Sequence, residues 1–223
     1  MRLSMSLPAV LAAASISAIS ALEIPSLTQE RILQIQQAHA ETGSGALKYA
    51  EPHPVSINPS NDGVWNPETN TWTLTVESKG AKSLNFGFSQ FDLPKGAKLR
   101  IENANPNKAK VQGLAVDSTL KTKDKQLWTQ IIRSDKVTIT VSYKKSAKMM
   151  EPPSGDITLG FVNVGFVDLA GEKEKSGSCN IDVVCPERAG WEKEIPSAGG
   201  VSTGGSVFCS GAMINNMEED QTP

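Results

Sequence analysis

Cysteine and histidine are scarce in this sequence of 223 residues, which limits the chemistry it can carry. No cysteine occurs in residues 22–178, and the only two histidines, His39 and His53, lie far upstream of the cysteines. A zinc site needs several such ligands close together, so neither a metal site nor any other cofactor is predicted. The odd count predicts that one thiol stays free or pairs outside the chain if the protein is exported. The three cysteines are Cys179, Cys185 and Cys209.

Aromatic residues make up only 5% of the sequence, and the net charge of −2 gives the whole chain no excess of one sign. The 18 glycines and 13 prolines are typical of short strands joined by turns and argue against a helical bundle. A basic segment does occur, because residues 77–148 hold 15 basic and 6 acidic side chains. Its lysines alternate with apolar residues without interleaved stacking aromatics, which indicates a solvated sheet face and no nucleic-acid partner.

Long hydrophobic runs are missing, apart from one short stretch near the N-terminus. Residues 7–18 are apolar but fall short of the roughly 20 residues that span a membrane, so no membrane partner is expected. Arg2 precedes this stretch and small residues up to Ala21 follow it, a pattern typical of a secretory signal peptide over residues 1–21. The sequence therefore predicts a soluble, secreted, extracellular product.

A helix is predicted over residues 26–42, inside a leader and linker that covers residues 22–51. Ser26 and Gln29 have the spacing of a capping box, and the apolar stripe that follows is thin. His39 in this helix is interpreted as a surface or capping residue and not as a catalyst.

Alternating apolar residues dominate residues 52–170 and predict short strands. Trp72, Leu74 and Val76 alternate with threonines, which indicates a half-buried strand. Without helices between the strands, the predicted fold class is all-β, with an antiparallel β-sandwich over residues 52–170. The segment AEPHPVSINPSNDG (residues 50–63), which comes before the strand with Trp72, is interpreted as turns. Further predicted strands lie near residues 84–88, 99–101, 127–132, 137–141 and 157–166.

Three tryptophans, Trp65, Trp72 and Trp128, have two interpretations. They fit a sugar-binding aromatic platform, or they pack in the core. Because Trp72 and Trp128 lie within apolar strand patterns, core packing is predicted.

The composition changes again after residue 170. The segment AGEKEKSGS at residues 170–178 combines small and charged residues, which predicts an exposed, protease-accessible linker. Two short apolar segments with glycine turns follow and predict a pair of strands. Only 48 residues follow Lys175, too few to expect a stable core without outside support.

The segments SGSCNIDVVCPE (residues 176–187) and GGSVFCSGAMINN (residues 204–216) resemble the N-terminus of mature lysyl endopeptidase, a secreted serine protease of the trypsin fold. WTLTVESKGAKSLNFGFSQFDLPKGAKL and ITLGFVNVGF are similar to the propeptide of such precursors. The resemblance implies a zymogen whose propeptide is removed. It implies a protease domain of two six-stranded β-barrels, which cleaves peptides after lysine with a Ser, His and Asp triad. It also implies a cleavage linker at residues 171–175, with the cut between Lys175 and Ser176. Residues 176–223 would then be the first strands of an incomplete double barrel. The resemblance further implies that Cys179, Cys185 and Cys209 are disulfide half-cystines.

The chain departs from the family where catalysis begins. In the family, the base His follows VFCSGAMINN after a loop, whereas no His follows Cys209 here. A serine needs such a His to become nucleophilic, so Ser206 and Ser210 are interpreted as strand or turn residues and no catalytic residue is assigned. We expect a chain truncated before the catalytic His and inactive alone, whose gene continues into a His-Cys segment.

The favoured function is therefore a secreted serine endopeptidase precursor of lysyl-endopeptidase type. Its expected partner is its own or a related protease domain, and a peptide substrate is expected only for the full-length protein. The alternative is a stand-alone secreted sandwich that acts as a protease inhibitor or folding aid, or as a carbohydrate- or surface-binding module.

Overall fold

The structure, a computed structural model, describes residues 21–105, 113–122, 124–144, 149–153, 155–169 and 186–212. These residues form one α-helix, α1 (Gln29–Glu41), and two short 3₁₀ helices. The rest of the regular structure is strand, so the predicted all-β fold class is confirmed. The strands are β1 (Leu22–Glu23), β2 (Leu47–Lys48), β3 (Ala50–Ile57), β4 (Val64–Asn66), β5 (Thr71–Glu77), β6 (Ser83–Phe91), β7 (Lys98–Asn103), β8 (Leu114–Asp117), β9 (Leu127–Trp128), β10 (Lys136–Ser142), β11 (Ile157–Gly165), β12 (Ala198–Thr203) and β13 (Ser206–Ala212).

Two sheets pack face to face as a sandwich. The first has the order β1-β5-β10-β7-β8 with β4 beside β5, and the second has the order β3-β11-β6-β9. One buried cluster holds Trp72 and Ile139 from the first sheet together with Phe86 and Val162 from the second. Burying each such side chain contributes about 1.5–3 kcal/mol, so this shared core holds the two sheets together.

The period-two pattern of the central strands matches their burial. In β5, Trp72, Leu74 and Val76 are at most 1% exposed, and the threonines between them are half-buried. β10 pairs antiparallel with β5, so that Ile139 lies opposite Leu74. Successive side chains point to opposite faces of a strand, which is why the alternation predicted these strands correctly.

The prediction of turns over AEPHPVSINPSNDG is wrong for its first eight residues, which form β3. Among the described strands β3 pairs with β11 alone, so it lies at an edge of its sheet. Pro52 and Pro54 are tolerated there because an edge strand leaves one row of backbone N–H groups without a ladder partner. The strand predicted over residues 127–132 is also shorter, since only β9 forms and Ile132 makes an isolated bridge to Leu84.

The helix begins later than the sequence suggested. Thr28, not Ser26, is the N-cap, and its hydroxyl accepts a hydrogen bond from the Arg31 amide at 3.1 Å. The chain before the helix takes part in the sandwich, because β1 runs parallel to β5 and Ile24 is 5% exposed. In the parts of the chain that the structure describes, no helix is both long and apolar enough to cross a membrane.

A third sheet, of order β12-β13-β2, joins the C-terminal part of the chain to the region just before β3. β12 and β13 form an antiparallel hairpin, and β2 pairs with the start of β13. Within the described residues this hairpin closes no barrel, and it lies against the sandwich at its turn.

Candidate interface between the sandwich and the C-terminal hairpin

Both residues of the predicted processing site, Lys175 and Ser176, lie outside the described residues, as do the predicted half-cystines Cys179 and Cys185. Cys209 lies in β13, where it is exposed and carries a free thiol. The described residues contain no disulfide, and the pairing of the three cysteines stays a prediction. Ser206 and Ser210 both lie within β13.

Among the residues that the structure describes, no serine hydroxyl is hydrogen-bonded to the Nε2 atom of either histidine. His39 Nε2 lies 2.7 Å from the carbonyl oxygen of Ala46, which agrees with a structural role near the end of α1. His53 lies in β3, and its buried Nε2 has no hydrogen-bond partner within the described structure.

The helix is attached near both of its ends to the chain that leads through β2 into β3. Near its start, Arg31 donates to the Glu51 carboxylate, with an Nε to Oε1 distance of 3.1 Å. The hydrogen bond to Glu51 raises the pKa of Arg31. Near its end, His39 contacts the Ala46 carbonyl. α1 therefore fixes both sides of residues 47–50.

Residues 47–50 form the sandwich side of a backbone interface with the hairpin. β2 pairs antiparallel with β13, with Leu47 opposite Val207 and Lys48 opposite Ser206. The carbonyl oxygen of Gly205 then accepts hydrogen bonds from the Tyr49 amide at 2.9 Å and the Ala50 amide at 3.0 Å. The sandwich thus adds a short strand to the edge of the hairpin.

Lys48 contributes the polar side-chain contact of this interface. Its Nζ donates to the Gly204 carbonyl oxygen at 2.6 Å. Burial lowers the pKa of Lys48, and the nearby Glu51 carboxylate opposes that shift. The ammonium group therefore satisfies a main-chain oxygen at the hairpin turn.

Two adjacent glycines form the turn, and they differ in their surroundings. Gly204 and Gly205 have φ angles of +53° and +77°, a region that favours glycine. A Cβ on Gly204 would meet nothing within 4 Å, whereas a Cβ on Gly205 would lie 2.1 Å from the Ala50 carbonyl oxygen. Both positions suit glycine for the turn, but only Gly205 needs it for the approach of the sandwich.

A small apolar cluster lies beneath this backbone contact. Tyr49, Ala50 and Val167 are at most 8% exposed, and Val207 packs against them. Elsewhere the hairpin is open, since Val201 and Phe208 are 45% and 56% exposed. The hairpin therefore buries its side chains mainly at the sandwich.

The predicted core position holds for Trp72 but is wrong for Trp128. Trp72 is fully buried and its Nε1 donates to the Asp62 carbonyl at 2.8 Å. Trp128 is 49% exposed and stacks on Phe161, with ring centroids 5.8 Å apart. Its indole lies over Gly87, where a Cβ would meet the ring at 2.5 Å.

The three tryptophans do not form one platform. Trp65 is partly buried on β4 in the first sheet and makes an edge-to-face contact with Tyr143, with ring centroids 5.8 Å apart. Trp128 lies on β9 in the second sheet, and Trp72 is enclosed by the core. Trp65 and Trp72 are paired across β4 and β5, but Trp72 is enclosed by the core and Trp128 lies on the other sheet, so the three side chains share no exposed surface.

A comparison with known protein families bears on the hairpin and its flanking residues. Residues 173–223 match the family described as lysyl endopeptidase, C-terminal domain. The match includes β12, β13 and the glycine turn that contacts the sandwich, and it agrees with the resemblance seen in residues 176–216. The C-terminal part of this chain is therefore similar to lysyl endopeptidase, which supports a lysyl endopeptidase-like protein.

Proposed function

We propose that this chain is the precursor of a secreted serine protease of lysyl-endopeptidase type. In this proposal residues 1–21 are a signal peptide, the sandwich is a propeptide, and residues 176–223 open the protease domain. The match of residues 173–223 to the lysyl endopeptidase family carries the proposal.

Maturation would hydrolyse the peptide bond between Lys175 and Ser176. Water adds across that bond, leaving a carboxylate on Lys175 and a free amine on Ser176. Two features support this position: the linker is rich in charged and small residues, and Lys175 is the residue type that the family name implies is cut.

The sandwich would act on the protease segment as a folding aid. Two-stranded hairpins are marginally stable alone in water. β12 and β13 are exposed along most of their length, and Gly205, Ser206 and Val207 at their sandwich end are the more buried positions. Contact with the sandwich therefore supplies burial that the hairpin does not supply for itself.

The test is processing of the secreted chain by a trace of mature lysyl endopeptidase. N-terminal sequencing of the C-terminal product should give Ser176, and sequencing of the untreated secreted chain should give a start near Leu22. Lys175→Arg should shift the product to Glu174, and Lys173→Arg combined with Lys175→Arg should abolish this cut. Lys193→Arg, at an exposed lysine outside the linker, is the matched control.

Early cleavage at other lysines, with the double variant processed like the wild type, would refute the proposed site. A secreted chain that began at Met1 would refute the signal peptide.

A further inference from the structure

We propose that residues 47–50 are a strand-addition site for the β12–β13 hairpin, and that the sandwich stays bound there after the linker is cut. This rests on the proposed function in taking the hairpin as part of the protease segment and the linker as the segment that is cut. The partner is thus the hairpin of this chain, first in the same polypeptide and then as a separate one.

Main-chain atoms make most of the recognition. Strand addition takes affinity from backbone hydrogen bonds and specificity from the side chains at alternate positions. Here the Gly205 carbonyl accepts from two consecutive amides, those of Tyr49 and Ala50, and the pairing continues between β2 and β13. All of these hydrogen bonds join residues that lie outside the linker, so cutting the linker leaves them intact.

Specificity comes from how closely the two backbones approach. Gly205 is buried against Ala50, and any side chain at position 205 would overlap the Ala50 carbonyl. Val207 then lies over Tyr49, Ala50 and Val167. A hairpin with a larger residue at its second turn position would not fit residues 47–50.

The sandwich side is held ready for this partner. α1 is bonded to Glu51 on one side of residues 47–50 and to Ala46 on the other. Tyr49 is also held from the sandwich side, because its carbonyl oxygen accepts a hydrogen bond at 2.9 Å from the amide of Phe166, the residue that follows β11. A strand edge fixed in this way binds without first paying the entropy of ordering its backbone.

Amide hydrogen exchange on the full 223-residue chain under reducing conditions tests the contact. Gly205→Ala should make the Tyr49 and Ala50 amides exchange about tenfold faster or more, because their acceptor is pushed away. Gly204→Ala changes the same turn, but its added methyl group has nothing within 4 Å, so the Tyr49 and Ala50 amides should stay near their wild-type rates. Unchanged exchange in β5 and β10 confirms that each variant is folded.

A second pair of variants keeps the test independent of the glycine turn. Val207→Thr should speed exchange of the same two amides, and Val201→Thr, at an exposed hairpin position, should not. Equal effects within either pair, or slow exchange in Gly205→Ala, would overturn the strand-addition site.

Persistence after cleavage is measured by size-exclusion chromatography of the wild-type chain cut in the linker. The two pieces should elute together, and the pieces of Gly205→Ala should separate. Wild-type pieces that separate overturn the second half of the proposal. Exchange in the uncut chain reports on the contact even if the linker is cut at another residue, so the two proposals fail separately.

Discussion

At the scale of single residues, identical side chains have unlike roles because their surroundings differ. Trp72 and Trp128 both lie in apolar strand segments, yet one is in the core and the other is 49% exposed. Periodicity states which residues share a face, but not which face another sheet will cover. Gly87 leaves room on the outer face for the Trp128 indole, and the two residues lie opposite each other because of the register between β6 and β9.

Replacing these two tryptophans should separate their roles. Trp72→Ala is expected to lower the free energy of unfolding by about 3–5 kcal/mol, because it opens a core cavity and removes the donor to Asp62. Trp128→Ala should cost about 1 kcal/mol or less, since it loses mainly the stacking on Phe161. Urea unfolding of both variants measures the difference. A similar cost for both would show that the outer face is as tightly packed as the core.

At the scale of elements, the chain before residue 52 contributes to the sandwich more than its composition suggested. β1 extends the first sheet, and Ile24 enters the core. β3 begins at Ala50, within a segment whose prolines resemble turn signals. The prolines are compatible with a strand only at a sheet edge, and strand order is a property of the assembled fold.

Two fragments should show this contribution. The fragment of residues 22–169 is expected to unfold cooperatively, with a β-type circular dichroism spectrum. The fragment of residues 52–169 should be about 2–4 kcal/mol less stable, because it lacks β1, Ile24 and the start of β3. Leu33→Ala in the longer fragment is the control, since Leu33 is 50% exposed on α1. Equal stability of the two fragments would contradict a structural role for residues 22–51.

At the scale of the whole molecule, the 223-residue chain is expected to have no peptidase activity. His39 lies in α1 and His53 in the edge strand β3, and within the described residues the Nε2 atom of neither one contacts a serine hydroxyl. Without a base, a serine hydroxyl is a weak nucleophile at neutral pH. The purified chain should neither hydrolyse a lysyl ester nor react with a fluorophosphonate, while mature lysyl endopeptidase does both. Labelling of Ser206 or Ser210 would show that one of these serines is an activated nucleophile and would overturn this expectation.

The sequence by itself determined the all-β class and the central strands. The alternation of apolar and polar residues in β5 and β10 is visible in each segment alone and does not depend on which strands lie beside it. The sequence also shows the likeness to lysyl endopeptidase, because SGSCNIDVVCPE and GGSVFCSGAMINN are contiguous stretches of residues.

Only the tertiary structure decided which outer surfaces are covered and what the hairpin contacts. Lys48 and Gly204 are far apart in sequence, and neither position carries a local signal for the hydrogen bond between them. The requirement for glycine at position 205 likewise follows from the approach of Ala50 and not from the turn alone. Contacts of this kind depend on how distant segments pack, and packing is fixed only when the sheets assemble.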